Sequence, residues 1–534
     1  MSILSWLTGL LRRGGAGQRS APAAVEVLAI VVPDEEKART ARAASEAGKV
    51  AFGTKDYATA INCFKTVIEL RHDDADAHNY LGVSYLEQGG YEDAADCFTL
   101  AIHHRPLFPQ AFHNMALVAQ HHGDLEQAVA CLEKAVAMKP DFAGAHSTLG
   151  YLLSNQLGDF ERGAEHIRAA LRLNPADPDV LCNYSMVLTE EGRLEEALAI
   201  CDRLLAAHPD LHEARLNRAL AALKLGRFAE AWPDYEARKL ARSNYVPRVL
   251  PLPEWRGQAL RDKKLLVYAE QGLGDQIMFA SCLPDLLPQV GACVIECAPR
   301  LVPIFRRSFP AARVESQAQG DACLARLVQS ACFDYQVAIG SLPGYFRKNR
   351  SDFPLHAGYL HADRARVAYW KGRLGALGPG LKVGISWFGG AASTRRDTRS
   401  MRLADWLPVL SQTSCCFVSL QYGNVSGELE TVSREHQVKI HAWSEAIADY
   451  DETAALVAAL DLVISVQTAV VHLAGALGKS AWAMLPAVSE WRYLERGETM
   501  PWYPSVRLLR QSRLGDWQPV IARSAQDLAQ FTRH

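Results

Sequence analysis

The spacing of apolar positions changes character once along the chain. Over residues 41–245, hydrophobic and small residues recur with a period of 34, and inside each period they fall at helical intervals. The stretch 75–108 sets the register with Leu81, Gly82, Tyr85, Gly89, Tyr91, Ala94, Phe98, Ala101 and Pro106. The next stretch repeats it as Ala116, Gly123, Leu125, Ala128, Leu132, Ala135 and Pro140. Two antiparallel helices per period are predicted. Small residues let them approach, large ones fill the space between neighbouring pairs, and proline ends the second helix. Six units in all share this register, 75–108 being the second; the fourth carries one extra residue and ends at Pro175. Beyond 245 the period is lost. Residues 246–262, rich in proline and charge, read as a linker. Short β-branched runs then alternate with helical stretches: 264–269, 293–297 and 335–339, and later LKVGISW, CCFVSLQ, VKIHAW, LVISV, SAWAML and VRLLRQ.

The repeat positions are those of the tetratricopeptide repeat, so the predicted fold is an all-α tetratricopeptide-repeat superhelix followed by α/β structure. Stacked pairs of this kind present a concave face suited to an extended segment of a partner. Asn114, Asn183 and Asn217 share the sixth position of repeats three, five and six. Amides there can hydrogen-bond a peptide backbone, or bond helix to helix. The strand-and-helix half divides into two Rossmann-like lobes, 263–375 and 376–534, with a cleft between them. The last helix, about 519–533, is expected to cross back onto the first lobe.

Three stretches meet at the carboxyl ends of these strands. Gly272 and Gly274 permit a tight turn, and Asp275 at the helix start can cap that helix or accept a proton. The loop SWFGGAASTRRDTRSMR follows a strand and carries Arg395, Arg396, Arg399 and Arg402, whose forked donors suit phosphate or a solvated surface. The stretch 462–485 reads strand, turn, helix, strand. Gln467 and Thr468 open a helix of small residues, His472 lies one turn in, and Gly478 closes it. A strand turning at once into a helix N-terminus is a ready phosphate site or an ordinary strand–helix–strand unit.

Composition narrows the classes. The 534 residues are 49% hydrophobic and 22% charged with a net charge of −2, so no electrostatic footprint for nucleic acid is present. The 12 cysteines include no CxxC pair, and Cys63, Cys97 and Cys131 recur at 34-residue intervals as helix positions. That usage fits a reducing, cytoplasmic setting. No apolar run reaches the ~18 residues of a transmembrane helix. In the N-terminal MSILSWLTGLLRRGGAG, Arg12 and Arg13 follow the apolar run, the wrong order for a secretory signal. Residues 1–40 are expected to be a disordered tail, with a membrane-surface helix or a docking peptide as alternatives.

Six segments then carry a resemblance: AEQGLGDQIMFASCLPDL, VGISWFG, FVSLQYG, DETAALVAALDLVISVQTAVVHLAGALGKSAWAML, EWRYL and PWYPSVRLLRQSRLGDW. The C-terminal half resembles the bacterial heptosyltransferase-like glycosyltransferases of the two-lobed GT-B fold. The whole chain is similar to bacterial proteins joining tetratricopeptide repeats to that domain, some of which modify flagellin. The resemblance implies an inverting, metal-independent transferase moving sugar from a nucleotide-sugar to Ser or Thr of a protein, flagellin being a candidate. It implies no other cofactor, the first lobe on the acceptor side and the second on the donor side. Asp275 matches the proposed general base. Gly272, Gly274, Trp387, Arg399, Gln467, Thr468, Ala469 and His472 are the donor-binding residues it implies. Asn114, Asn183 and Asn217 look like the asparagine ladder of the O-GlcNAc transferase repeat domain. Relatives usually carry Asp where this chain has Gln467, which keeps open a non-catalytic scaffold with a degenerate transferase-like domain. A lipid-oligosaccharide transferase is a third possibility.

Overall fold

A computed structural model describes residues 34–241, 250–317, 333–390 and 396–531. Two bodies divide at residues 118 and 119. The first holds the helices Asp34–Gly53, Tyr57–Leu70, Ala75–Glu87 and Tyr91–His104. Residues 34–40, expected in the tail, are instead the first turns of a helix with Asp34, Glu35 and Glu36 at its positive end. The remainder of the expected tail lies outside the described residues. Gly82 shows why small residues mark the register: a Cβ there would lie 2.6 Å from the Phe98 ring. The helix Pro109–His121 spans the division.

The second body continues the repeats with Leu125–Met138, Ala143–Tyr151, Phe160–Leu173, Pro178–Glu190, Leu194–Ala207, His212–Lys224 and Phe228–Tyr235. The turn inside each pair carries a left-handed residue: Lys55 in the first repeat, then Gly89, Gly123, Gly158, Gly192 and Gly226. The one long interval, between Gly123 and Gly158, holds the extra residue of the fourth repeat. It is absorbed by a π-helical stretch, Leu152–Leu157, inside the first helix of that pair. Side chains of Asp56, Asp74, Asp124, Asp159 and Asp177 cap helix starts.

Two sheets follow. The first contains β1 (Lys264–Tyr268), β2 (Ala292–Cys297), β3 (Arg313–Ser316) and β4 (Tyr335–Ala338), all parallel, in the order β3-β2-β1-β4. The second contains β5 (Leu381–Ser386), β6 (Cys415–Ser419), β7 (Ile440–His441), β8 (Leu462–Val466), β9 (Ala481–Leu485), β10 (Thr499–Met500) and β11 (Tyr503–Arg510). Its order is β10-β11-β9-β8-β5-β6-β7, and the β10–β11 pair alone among the described strands is antiparallel. The fully buried runs of β8 and β9 fit strands covered on both faces.

Two expected boundaries and one expected packing change. The described part of the linker is packed structure: Trp255 N–H donates to the Gln336 carbonyl at 2.7 Å and the indole lies 4.2 Å from the Tyr345 ring. The helix Arg364–Gly375, assigned by sequence to the first lobe, lies on the second sheet's helix Tyr450–Ala459. There Glu452 accepts from Arg366 and from the Trp370 indole. The final helix, Gln518–Phe531, does not cross back. Val520, Ile521 and Leu528 bury into the second sheet's own core with Val383, Ile385 and Leu509. Residues 486–502 bridge instead, bringing Trp491 and Trp502 against Phe279 and, from the last repeat, Trp232. No described helix is long and apolar enough to cross a membrane.

Candidate active site

Open parallel sheets bind ligands beyond the carboxyl ends of strands where the order reverses. In the first sheet that place lies between β1 and β4, and in the second between β5 and β8. The loops leaving β1, β5 and β8 carry the three stretches singled out by sequence. They line one cleft of about 400 Å³.

The glycine turn after β1 starts at Gln271, whose φ of 62° is left-handed, and ends in the helix Leu273–Phe279. Gly272 N–H donates to Asp275 Oδ2 at 3.2 Å, and Asp275 Oδ1 accepts from Arg492. At Gly274 this turn packs closely on the helix that follows β8. A Cβ there would lie 3.0 Å from the His472 ring and 3.5 Å from the Ala469 Cα.

Opposite stands the N-terminus of the helix Ala469–Ala476. Thr468 Oγ1 accepts from Val470 N–H at 3.2 Å and pairs with Ser465 Oγ at 3.0 Å. A Cβ on Gly389 would meet Thr468 Cγ2 at 2.5 Å, so glycine lets the loop after β5 lie on this helix start. Gln467 is 4% exposed, and its Nε2 has no hydrogen-bond partner among the described residues. Such a buried donor calls for an oxygen acceptor, from water or from a ligand. His472 bonds the Tyr503 hydroxyl through Nδ1 at 3.2 Å. Burial first, then the nearby Arg492 charge, drive its pKa well below the usual histidine range, so the ring is neutral near pH 7.

A chain of alternating charge runs from Arg399 to Asp275. Arg399 donates from Nε to the Gly389 carbonyl at 3.2 Å, and its Nη1 lies 3.7 Å from Glu490 Oε1. Glu490 Oε2 lies 3.5 Å from Arg492 Nη1, and Arg492 reaches Asp275. Burial opposes the Arg492 charge, but the Asp275 and Glu490 carboxylates outweigh it and raise its pKa.

A second cavity of about 380 Å³ opens on the side of the repeats. Ser154 and Asn155 of the π-helical stretch, Glu190, Leu216, Leu220, Lys224, Tyr235 and Arg238 line it together with Glu490 and Trp491. Arg399 and Gln467 line both cavities. The last repeat is fixed to the first sheet by a buried ion pair. Arg238 grips the fully buried Glu270 at 2.6 Å and Ser341 Oγ at 2.9 Å, and Glu270 also accepts from Gly340 N–H at 3.0 Å.

The structure thus gathers Gly272, Gly274, Asp275, Arg399, Gln467, Thr468, Ala469 and His472 in one cleft. Trp387 is a correction. It is fully buried in the apolar core of the second sheet with its indole N–H on Glu428, and it does not line the cleft. Arg402 points to solvent and pairs with Asp405, and Arg395 lies outside the described residues. The three asparagines have partners on neighbouring helices. Asn114 donates to Asn79 Oδ1, Asn183 to Ser147 Oγ, and Asn217 to the Cys182 carbonyl and Ser185 Oγ. Glu490 and Arg492 escaped the candidate list. Their signal was the EWRYL segment, charged residues between aromatics with no periodicity to place them.

Tetratricopeptide-repeat families match residues 48–89 and, in overlapping segments, 113–178, 156–212 and 190–247. Solved structures with similarity include a thermophilic TPR protein of Thermus thermophilus, at 21% identity and a TM-score of 0.30, covering 34% of this chain and 99% of that one. PilF of Pseudomonas aeruginosa is 17% identical with a TM-score of 0.33, covering 38% of this chain and 90% of that one. Protein FlbA of Caulobacter vibrioides is 36% identical over 403 residues, covering 72% of this chain and 67% of its own length. With its repeats in register and this likeness running over most of both sequences, the chain belongs to the family of Protein FlbA.

Proposed function

We propose that this protein is an inverting glycosyltransferase of GT-B type, moving a sugar from a nucleotide-sugar to a Ser or Thr hydroxyl of a protein recruited by the repeats. Tetratricopeptide repeats serve protein interaction, which supplies the acceptor side. The observation that carries the reading is the cleft at the two switch points. There a helix N-terminus, Arg399 and the Gln467 Nε2, unpartnered among the described residues, surround one space. The donor phosphate lies at Thr468 and Ala469, where the helix end and Arg399, in place of a metal ion, offset the charge that grows as the nucleotide leaves. A carboxylate removes the acceptor proton, and Asp275 is the one the resemblance offers. Neutral His472 supports the helix start through Tyr503.

The test is intact-mass spectrometry of a flagellin incubated with the protein and a panel of nucleotide-sugars. A gain of one glycosyl mass on a Ser or Thr, lost in Arg399→Ala, is expected. One observation favours a scaffold: both Asp275 oxygens are already engaged, by Gly272 N–H and by Arg492. Tight binding of flagellin with no mass gain for any donor supports that second reading and contradicts the first.

A further inference from the structure

Two carboxylates share Arg492, and they face different cavities. Asp275 lines the cleft beneath the helix start at Thr468, and Glu490 lines the cavity on the side of the repeats. We propose that the acceptor hydroxyl enters through that repeat-side cavity and gives its proton to Glu490, not to Asp275; this rests on the glycosyltransferase reading above.

The partners of the two groups differ in kind. Asp275 closes the glycine turn through Gly272 N–H and holds the Arg492 guanidinium with its other oxygen. Turning it toward an acceptor breaks the turn that shapes the cleft. Among the described residues Glu490 keeps only the longer contacts of 3.7 Å to Arg399 and 3.5 Å to Arg492, and its side chain is 36% exposed. It can reorient at little cost.

The joint between the cavities completes the argument. Arg399 and Gln467 line both, so a sugar bridging donor phosphate and acceptor sits beside them. The Gln467 Nε2 donor, unpartnered among the described residues, is available to an oxygen of that sugar. A donor phosphate that draws Arg399 leaves Glu490 with one cation instead of two, and a carboxylate oxygen is then available to the hydroxyl. In the transfer the acceptor O–H breaks and its proton goes to Glu490. The acceptor oxygen bonds to the anomeric carbon as the bond from that carbon to the phosphate oxygen breaks. The electron pair leaves with the nucleotide, and the proton passes to water on product release. Glu490 is in this account a catalytic residue, and Asp275 a positioning residue that acts through Arg492 and the glycine turn.

The experiment measures nucleotide release by the full chain from UDP-N-acetylglucosamine, GDP-mannose, ADP-glucose and CMP-N-acetylneuraminic acid, with water entering the repeat-side cavity as acceptor. For the donor that turns over, Glu490→Gln should lower kcat by about 10²–10⁴-fold with KM held. The acidic limb of the pH–rate profile should vanish, with the circular dichroism of the folded chain unchanged. Glu490→Asp should keep that limb at reduced rate, and Asp275→Asn should keep it while raising KM. An acidic limb that survives in Glu490→Gln and disappears in Asp275→Asn overturns the proposal and makes Asp275 the base, leaving the transferase reading intact. Absence of release by the unaltered chain from all four donors overturns the transferase reading and this inference with it.

Discussion

Removing Arg238 should detach the last repeat from the first sheet. The guanidinium bonds both oxygens of Glu270, the Tyr235 carbonyl, Glu236 Oε1 and Ser341 Oγ, and it lies 4.6 Å from the centre of the Tyr235 ring. In Arg238→Ala the Glu270 carboxylate, with 0% side-chain exposure, keeps Gly340 N–H as its remaining described donor. Stranding one partner of a buried pair costs about 3–5 kcal/mol. An exposed pair such as Arg402–Asp405 contributes about 0–1 kcal/mol. Taking ~4 kcal/mol for Arg238→Ala, the local opening constant should rise about a thousandfold. Hydrogen exchange of the Gly340 and Ala241 amides reads this directly, and urea denaturation followed by the fluorescence of Trp232, Trp491 and Trp502 reads it in bulk. The double variant Arg238→Met, Glu270→Leu removes both charges and should recover most of the loss. An Arg238→Ala variant within ~1 kcal/mol of the unaltered protein, a cost expected only of exposed pairs, would refute the reasoning.

Other expectations follow from single contacts. Gly389→Ala places a methyl 2.5 Å from Thr468 Cγ2, and should lower stability by about 1–3 kcal/mol and weaken nucleotide binding, both read by calorimetry. Burial holds the His472 pKa well below its ordinary value in the folded state, so the unfolded chain binds more protons once the pH falls toward that ordinary value of 6.5. Stability present above that pH is therefore lost as pH falls, and His472→Gln should flatten the decline between about pH 7.5 and about pH 5 in denaturation midpoints. Asn183→Ala breaks the bond to Ser147 and should cost about 0.5–1.5 kcal/mol, and an unchanged Kd for a bound acceptor would mark it as a stacking residue.

Local rules made much of this legible. A 34-residue period with glycine in the turn fixes two helices per repeat, and the extra residue of the fourth was visible as a count. Its consequence, a π-helical stretch that presents Ser154 and Asn155 to a cavity, depends on packing against Gly163, where a Cβ would meet Ser154 Oγ at 2.1 Å. Strand runs ending in glycine or Gln-Thr turns located the three loops of the cleft, because strand-to-helix turns carry local signals. Trp387 was misplaced because an aromatic after a strand can face core or cleft, and only the Glu428 partner decides. Glu490 and Arg492 were missed because their pairing with Arg399 and Asp275 joins residues far apart in the chain. The final helix was misdirected because an amphipathic face does not say which sheet covers it.

The most direct measurement is a thermal-shift titration of the protein with UDP, GDP, ADP and CMP. A nucleotide at a hundred times its Kd should stabilise the fold by about 2.7 kcal/mol. The account predicts a shift for one nucleotide that disappears in Arg399→Ala. No shift with any of the four would contradict a nucleotide-sugar cleft at Thr468.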